Sequence, residues 1–367
     1  VDKKIIVVSA VNLVDGGPLT VLRDCFNAFS ELSLDPSLDI HFLVANEDVI
    51  TGIDAKNIKL HYFPESKKSW FKRVYFEYFY FKEFSEKLGN VYSWFSLHDT
   101  SPKVISRKQY VYCHNPSVFL KLTLGDMFKD YKQFLFSKLY KYLYRFNIKS
   151  NDAVIVQQHW FASYFSENFN SEVIVSRPNV GAELVVEKDN SSEFSKDKVN
   201  LFYPAFPRFF KNHSVIVDAF KKDLASSNID MFLTITGEEN KVAKGIYKKA
   251  AGQTNIKFIG LQPHKKTLQM ISECDALIFP SKMETWGLPI TEAIKLNKPI
   301  IVADLPYAQE TVGSYDKVFW FNPDDPYSLS IAINKLVSGH SFDTIRNFNS
   351  KFKEVNGWDK LAKVIVE

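Results

Sequence analysis

The stretch FPSKMETWGLPITEAIKLNKPIIVADLPYAQETVG, residues 279–313, decides how this chain is read. It opens where one apolar run ends and contains a second, PIIVA. Between the two runs stand Glu284 and Glu292, separated by seven residues, with WGLP in the middle. DALIFPS reads as a strand, and Pro289 suits the first helical position of PITEAIKL. Loop 281–288 then joins the carboxyl end of a parallel strand to a helix N-terminus. Unpaired N–H groups and the positive end of the helix dipole face such a loop, which suits a phosphate. Gly287 lets the backbone approach a ligand closely. Glu292, about one turn inside the helix, is placed to accept two hydrogen bonds from a ribose diol. Glu284, still in the loop, is placed to meet whatever hangs beyond the phosphates. Taken singly, a complement to the helix dipole and a solvated loop residue would account for the two glutamates.

Working outward, strand-length apolar runs alternate with helix-period segments almost throughout. KIIVVSA, DIHFLVA, IKLHYF, VYSWFSL, QYVYCH, AVIVQ and EVIVS fall in the first half, and KVNLFYP, DMFLTIT, IKFIG, DALIFP, PIIVA and VFWF in the second. Helices fit between many of them, among them 18–33, 128–147, 211–224, 264–273, 289–297 and 326–338. The runs are continuous rather than alternating, which predicts strands buried on both faces and hence parallel sheets. A polar, breaker-rich segment after EVIVS separates two such series. The expected domains are 1–180 and 181–345, both doubly wound and facing across a ligand cleft, with a terminal helix over 346–367.

Bulk properties agree. The length of 367 residues suits two domains, and the composition, 46% hydrophobic and 15% aromatic, is that of a globular protein. Cys25, Cys113 and Cys274 are odd in number and widely spaced, which argues against a disulfide framework or a cysteine zinc site and fits a reducing cytoplasm. No apolar run approaches the ~20 residues of a membrane span. The opening VDKKIIVVSAVNLV is read as a first strand rather than a signal peptide, and the lack of an initiating Met suggests a trimmed chain.

Here the opening stretch resembles the E-x7-E signature of glycosyltransferase family 4, retaining transferases built from two Rossmann-like domains (the GT-B architecture). The likeness is specific over about residues 199–313 and looser over 1–180. It implies that Glu284 contacts the donor sugar and Glu292 the nucleotide ribose. Gly287 and Leu288 would then lie near the sugar and Thr291 near the diphosphate. YPAFPRFFKNHSVIVDAF (203–220) resembles the family segment whose basic residues neutralise the leaving diphosphate. Lys211 matches in place. Phe206 stands where the family has arginine, and Arg208 follows two residues later. Leu261 and Gln262, after IKFIG, would lie beside the base. In the first domain the likeness makes Gly16 and Gly17 room for donor phosphates and acceptor, and His114 a contact to the donor sugar. His98 and Asp99 are weaker candidates for the acceptor. The resemblance also implies a C-terminal helix packed back on the first domain.

No metal or other cofactor is expected. The chain lacks Asp-x-Asp, a pattern common where Mg²⁺ or Mn²⁺ holds the diphosphate. Lys211, Arg208 and helix amides would meet the leaving charge instead, each donor contributing about 3 kcal/mol by analogy with an oxyanion hole. The substrates expected are a UDP-, GDP- or dTDP-sugar carrying a hexose or deoxyhexose and a free or lipid-linked glycan of a surface polysaccharide such as O-antigen.

Residues 101–150 carry ten Lys/Arg against two Asp, although the whole chain nets only +4. Leu135, Leu139, Tyr142 and Phe146 recur at helical spacing, so these rings are expected to face a core. The surplus charge suits anionic lipid at the inner membrane, with the protein cytoplasmic or on the membrane's cytoplasmic face. Charge reversal at Lys138, Lys141 and Arg145 would test it. No motif supports nucleic acid. Two other classes stay open: a sugar-nucleotide epimerase of the same architecture, and a non-catalytic nucleotide-sugar-binding protein, which Phe206 favours.

Overall fold

The computed structural model describes residues 3–119, 131–177, 186, 193–224, 227–346 and 351–367. The expected boundary near residue 180, the start of the helix expected from 128, and four charges of the basic segment (Lys121, Asp126, Lys129, Asp130) lie outside these residues. Two compact units emerge. One comprises Val1–Val118, Leu135–Asn179 and Ser350–Glu367, the other Phe119–Phe134 and Val180–Asn349.

The first unit begins with β1 (Lys4–Ser9), so the opening run is a strand. There follow α1 (Gly16–Leu32), β2 (Leu38–Val44), β3 (Lys59–Tyr62), α2 (Trp70–Tyr75), a π-helical turn (Phe76–Tyr80), α3 (Phe81–Leu88), β4 (Val91–Ser96) and β5 (Lys108–Cys113). Then come α4 (Tyr131–Arg145, of which this unit holds the part from Leu135), β6 (Ala153–Val156), α5 (His159–Phe169) and β7 (Val173–Val175). The second unit holds β8 (Val199–Tyr203), α6 (His213–Lys222), β9 (Ile229–Leu233), α7 (Lys241–Lys249), β10 (Ile256–Phe258), α8 (His264–Glu273) and β11 (Ala276–Phe279). It continues through α9 (Leu288–Lys295), β12 (Ile300–Ala303), α10 (Pro306–Val312), β13 (Val318–Phe321) and α11 (Pro326–Val337). The chain closes with β14 (Lys353–Glu354) and α12 (Trp358–Val366).

Every described strand pairing is parallel. The sheet orders are β14-β7-β6-β5-β4-β1-β2-β3 and β10-β9-β8-β11-β12-β13. Both contain the doubly wound order 3-2-1-4-5-6 counted from the first strand of each unit, so each sheet reverses direction of growth at one point. In the first unit that point lies between β1 and β4, and in the second between β8 and β11. Central strands are buried along their whole length, as in ALIF of β11 and IIVA of β12. That is why they read as unbroken Val/Ile/Phe runs.

The core of the first unit gathers Phe26 and Phe29 from α1 around Phe42 of β2, with ring centroids 4.8 and 5.8 Å apart in edge-to-face geometry. Leu361 and Ile365 of α12 are fully buried in the same cluster. His159 Nε2 and Glu354 Oε1 lie 2.6 Å apart, which ties α5 to β14.

The face of α4 corrects the expectation about its rings. Leu135, Leu139, Tyr142 and Phe146 are 42, 54, 57 and 59% exposed, whereas Ser137, Tyr140 and Tyr144 are buried. Both sets recur at helical spacing, so periodicity could not tell which stripe turns inward. The tyrosine stripe wins because its hydroxyls find a buried partner, Asp99.

Candidate functional site

In a doubly wound sheet, ligands gather outside the carboxyl ends of the strands where the order reverses. For the second unit this selects the segments leaving β8 and β11. They are stitched together by their own backbone. Lys282 N–H donates to Phe210 O at 2.8 Å, and the Tyr203 hydroxyl donates to Lys211 O at 2.8 Å. Asn212, in the left-handed region at φ 56°, donates from Nδ2 to Pro280 O at 3.2 Å and Pro323 O at 2.8 Å. Tyr307 donates to Ser281 O at 2.6 Å. Burial and the charge of Glu284 push both phenols, Tyr203 and Tyr307, well above the usual tyrosine range. They therefore stay neutral donors that fix the two loops.

That scaffold brings Lys211 and Glu284 together, Nζ to Oε1 at 2.5 Å, with both side chains mostly buried. Sequence separation is large, so only the fold makes this pair. Arg208 stands apart from it: the side chain is exposed and its guanidinium carbon lies 5.7 Å from the Phe206 ring centroid.

Helix α9 starts as its sequence predicts. Gly287 precedes it at φ +84°, and a Cβ there would lie 3.1 Å from Ile290 Cδ1 and 3.4 Å from Phe279 Cε1. The positive φ favours glycine, and a side chain there would press on Ile290. Gly287, the N-cap, has no side chain to cap the helix, and Leu288 at its first position is 41% exposed. Thr291 Oγ1 accepts from Trp286 Nε1 at 2.9 Å. Thr311 in turn donates to the backbone carbonyl of Trp286.

Glu292 is only 7% exposed, and its Oε1 lies 2.8 Å from His264 Nε2. His264 opens α8 directly after the Leu261–Gln262–Pro263 loop, so the carboxylate and the loop expected beside a base are neighbours. Gln262 turns back, donating to Ile259 O at 2.8 Å, while Leu261 is 77% exposed. Reading motifs alone missed His264; its place next to a singled-out loop was the available signal.

In the first unit the reversal point lies among Gly16, Gly17, Ser9 and His98. Gly16 takes φ +59° at the start of α1, and a Cβ on Gly17 would meet open space. His98 is 1% exposed, with Nε2 3.1 Å from Ser9 Oγ and Nδ1 2.9 Å from Thr100 Oγ1. Asp99, at φ +65°, accepts from His114 N (2.7 Å), Asn115 N (3.0 Å), Tyr140 OH (2.9 Å) and Tyr144 OH (2.9 Å). Its carboxylate is occupied by protein donors and sets the backbone at His114. The His114 ring has one face of approach to Asp99, Nε2 to Oδ2 at 3.8 Å, and a buried Nδ1 that makes no hydrogen bond among the described residues. Among the described residues no three His, Cys, Asp or Glu converge as metal ligands, and no helix is long and apolar enough to cross a membrane.

Comparison with known proteins places this geometry. Residues 186–354 match the family described as glycosyl transferases group 1. An uncharacterized glycosyltransferase of Methanocaldococcus jannaschii, MJ1607, is 20% identical over 158 residues, 42% of this chain and 40% of that protein. The O-antigen chain mannosyltransferase RfbU of Salmonella typhimurium is 24% identical over 277 residues, 72% of this chain and 69% of that one. The chain thus spans between 40 and 69% of the length of these relatives. Among solved structures, sucrose-phosphate synthase from Thermosynechococcus elongatus superposes with TM-score 0.65 at 13% identity, covering 92% of this chain and 90% of that one. WaaG, a glycosyltransferase involved in lipopolysaccharide biosynthesis, gives 0.63 at 12%, covering 91 and 90%. Anabaena Alr3699/HepE, in complex with UDP-glucose, gives 0.58 at 13%, covering 91 and 90%. Residues 186–354 therefore form a group 1 glycosyl transferase domain, in a chain with the two-Rossmann-domain fold of the GT-B glycosyltransferases.

Proposed function

We propose that the chain is a retaining, metal-independent glycosyltransferase of family 4 type, moving a hexose or deoxyhexose from a nucleotide sugar to a glycan acceptor. The observation that carries this reading is the Lys211–Glu284 pair at the strand-order reversal of the second unit. Lys211 would meet the charge that builds on the departing diphosphate, with the N-terminus of α9 and Thr291 beside it. Glu284 would orient the sugar, and Glu292, held by His264, would accept from the ribose hydroxyls. Leu261 and Gln262 would border the base. In the first unit, the glycine pair and His114 are the groups proposed to meet ligand.

The step balances without a protein nucleophile. The acceptor hydroxyl oxygen bonds to the anomeric carbon as the bond from that carbon to the diphosphate breaks on the same face. The hydroxyl proton passes to the departing diphosphate. Supporting a UDP-linked donor is the UDP-glucose bound in the Anabaena relative, and supporting a surface-glycan acceptor is the name of RfbU.

A lipid-linked acceptor is supported by the face of α4. From 131 to 150 the chain has five Lys/Arg and no acid, and the apolar stripe from Leu135 to Phe146 is exposed. Phe146 meets Tyr78 at 4.6 Å between centroids, and beyond it Phe79 is 62% and Phe71 90% exposed. Exposed Lys138 and Arg145 on the helix that bears this apolar stripe suit an anionic bilayer, here the cytoplasmic surface of the inner membrane.

Titration calorimetry of wild type and Glu292→Ala against UDP-, GDP- and dTDP-sugars, with EDTA present, tests the donor site. Saturable binding of one nucleotide class, weakened by the substitution, supports it; binding lost in EDTA overturns metal independence. Proton NMR of the product anomer then decides retention. A second reading, a nucleotide-sugar-binding protein without turnover, is favoured by Phe206 in the arginine position and by the outward Arg208. Tight binding with no transfer to any glycan would select it.

A further inference from the structure

Glu77 is the least expected residue in the first unit. It lies on the π-helical turn, where Phe81 N–H bonds back to Phe76 O. The wider turn carries Glu77 and Tyr78 inward, 1 and 9% exposed, and leaves Phe79 outside. Such turns inside α-helices are frequent at functional sites. Both Glu77 carboxylate oxygens are buried, with the Thr100 hydroxyl as a neighbour and Oε1 3.3 Å from His98 Nδ1. A buried, underpaired carboxyl is costly and persists where something depends on it.

We propose that Glu77 is a positioning residue which, through His98, sets the direction of the Ser9 hydroxyl at the strand-order reversal of the first unit. The line of contacts is short: Glu77 Oε1 to His98 Nδ1 at 3.3 Å, then His98 Nε2 to Ser9 Oγ at 3.1 Å. Ser9 ends β1 opposite Ser96 of β4, and the loop it begins leads to Gly16 and Gly17. Arg73 of α2 locks the arrangement from above, Nη2 donating to His98 O at 2.7 Å and lying 3.5 Å from Nδ1. The placement at this crevice rests on the transferase reading only for what the ligand is.

Two proton arrangements follow. With Glu77 ionised, the proton on His98 Nδ1 lies between Thr100 Oγ1 at 2.9 Å and the carboxylate at 3.3 Å, and Nε2 accepts from the Ser9 O–H. With Glu77 protonated, its O–H donates to Nδ1, the ring proton moves to Nε2, and Nε2–H donates to Ser9 Oγ. The Ser9 proton is then free to turn to another acceptor. One proton is taken up on the carboxyl, and the imidazole is neutral in both states. Burial and Arg73 hold His98 well below the ordinary histidine range, so it does not charge in the process. The other groups facing the pair are Tyr78 on the same turn, Thr100 beside His98, and His114 at the end of β5.

The test uses the full chain labelled with ¹⁵N-histidine, with His98 assigned by difference from His98→Asn. In wild type the two ring nitrogens of His98 should exchange protonated and unprotonated character as pH passes about 7, where burial has raised Glu77. Glu77→Gln should abolish the exchange. It should also lower kcat about tenfold while changing the donor KM little, the mark of a group that orients others rather than binding substrate. Ring shifts that do not move with pH in wild type overturn the proposal, as does an exchange that survives in Glu77→Gln. If Glu77→Gln does not fold, Arg73→Lys supplies the second variant, and an unchanged His98 titration there overturns the locking role of Arg73. Absence of turnover by wild type with every nucleotide sugar would overturn the transferase reading alone; the NMR titration would still decide for or against Glu77.

Discussion

The ammonium of Lys211 lies 2.5 Å from Oε1 of Glu284, and the two residues come from loops leaving different strands of one sheet. Neither charge is fully hydrated, so each is the other's main compensation in the free protein. A diphosphate arriving at Lys211 would compete with that carboxylate. Lys211→Ala is therefore expected to lower kcat about a hundredfold, the effect of removing one preorganised donor to a developing anion. Glu284→Gln should cost less in kcat. The double variant should fall short of the product of the two losses, because the residues share one interaction. Steady-state kinetics on all three variants check this, and full additivity would rule out the coupling.

Glu292 is nearly buried, and its partner His264 is exposed. The asymmetry separates their roles. Glu292→Gln keeps the shape but gives up a charged acceptor, and should weaken nucleotide-sugar binding about tenfold, the range for a hydrogen bond to a charged group. His264→Ala removes only the orienting contact from an exposed side and should cost about threefold. Calorimetry decides, and equal losses would make His264 a ligand contact in its own right.

Gly287→Ala would place a side chain at φ +84° with its Cβ 3.1 Å from Ile290. Left-handed backbone alone costs about 1–2 kcal/mol for a non-glycine residue, and the contact adds to it. A fall in melting temperature of roughly 2–8 °C is expected for a unit of this size. Scanning calorimetry checks it. Gly17→Ala, which meets open space at a helix start, should leave the melting temperature nearly unchanged.

How far the sequence reveals this architecture depends on how many ways a pattern can be satisfied. Short Val/Ile/Phe runs bounded by turn residues read as strands, and the runs from KIIVVSA to VFWF all became strands, although β3 is not buried on both faces. Gly287 and Pro289 bracket a helix start that glycine and proline chemistry dictates. Helix α4 offered two stripes at the same spacing, and only the tertiary partner Asp99 decided between them. Glu77 left no trace, because FEYFY reads as ordinary amphipathic helix and a π-helical turn has no composition of its own. The Lys211–Glu284 contact could be inferred from family likeness but not from spacing, since 72 residues intervene.

The exposed stripe of α4 yields a test that separates surface from core. Truncating a buried leucine costs about 2–5 kcal/mol, whereas a surface change away from special features stays within about 0.5 kcal/mol. Leu139→Ser should therefore leave stability almost unchanged while reducing sedimentation with anionic vesicles. Lys138→Glu and Arg145→Glu should reduce sedimentation further, and added salt should mimic them. A Leu139→Ser protein that binds vesicles as wild type does would exclude this face from the bilayer. Leu361→Ala on α12, fully buried, is the control expected to lose about 3 kcal/mol.

Two buried groups give the fold opposite responses to pH. His213 is buried, and burial holds it down to about 3 from an ordinary 6.5. Its contribution is intact above 6.5 and is lost as pH falls toward 3, because the unfolded chain takes up a proton the fold resists. The full swing is on the order of 5 kcal/mol. Glu77 runs the other way. Its carboxyl is raised by burial to about 7 from 4.5. Its contribution is intact below 4.5 and is lost as pH rises to 7, on the order of 3 kcal/mol. Glu77→Gln should accordingly gain stability relative to wild type between pH 5 and pH 8, and His213→Phe should flatten the acid limb below pH 6.5. Urea unfolding of the three proteins at pH 4, 5, 6.5 and 8 measures both slopes. A Glu77→Gln difference that is constant across the range would mean that the carboxyl does not titrate there, and the pairing with His98 would have to be a fixed one.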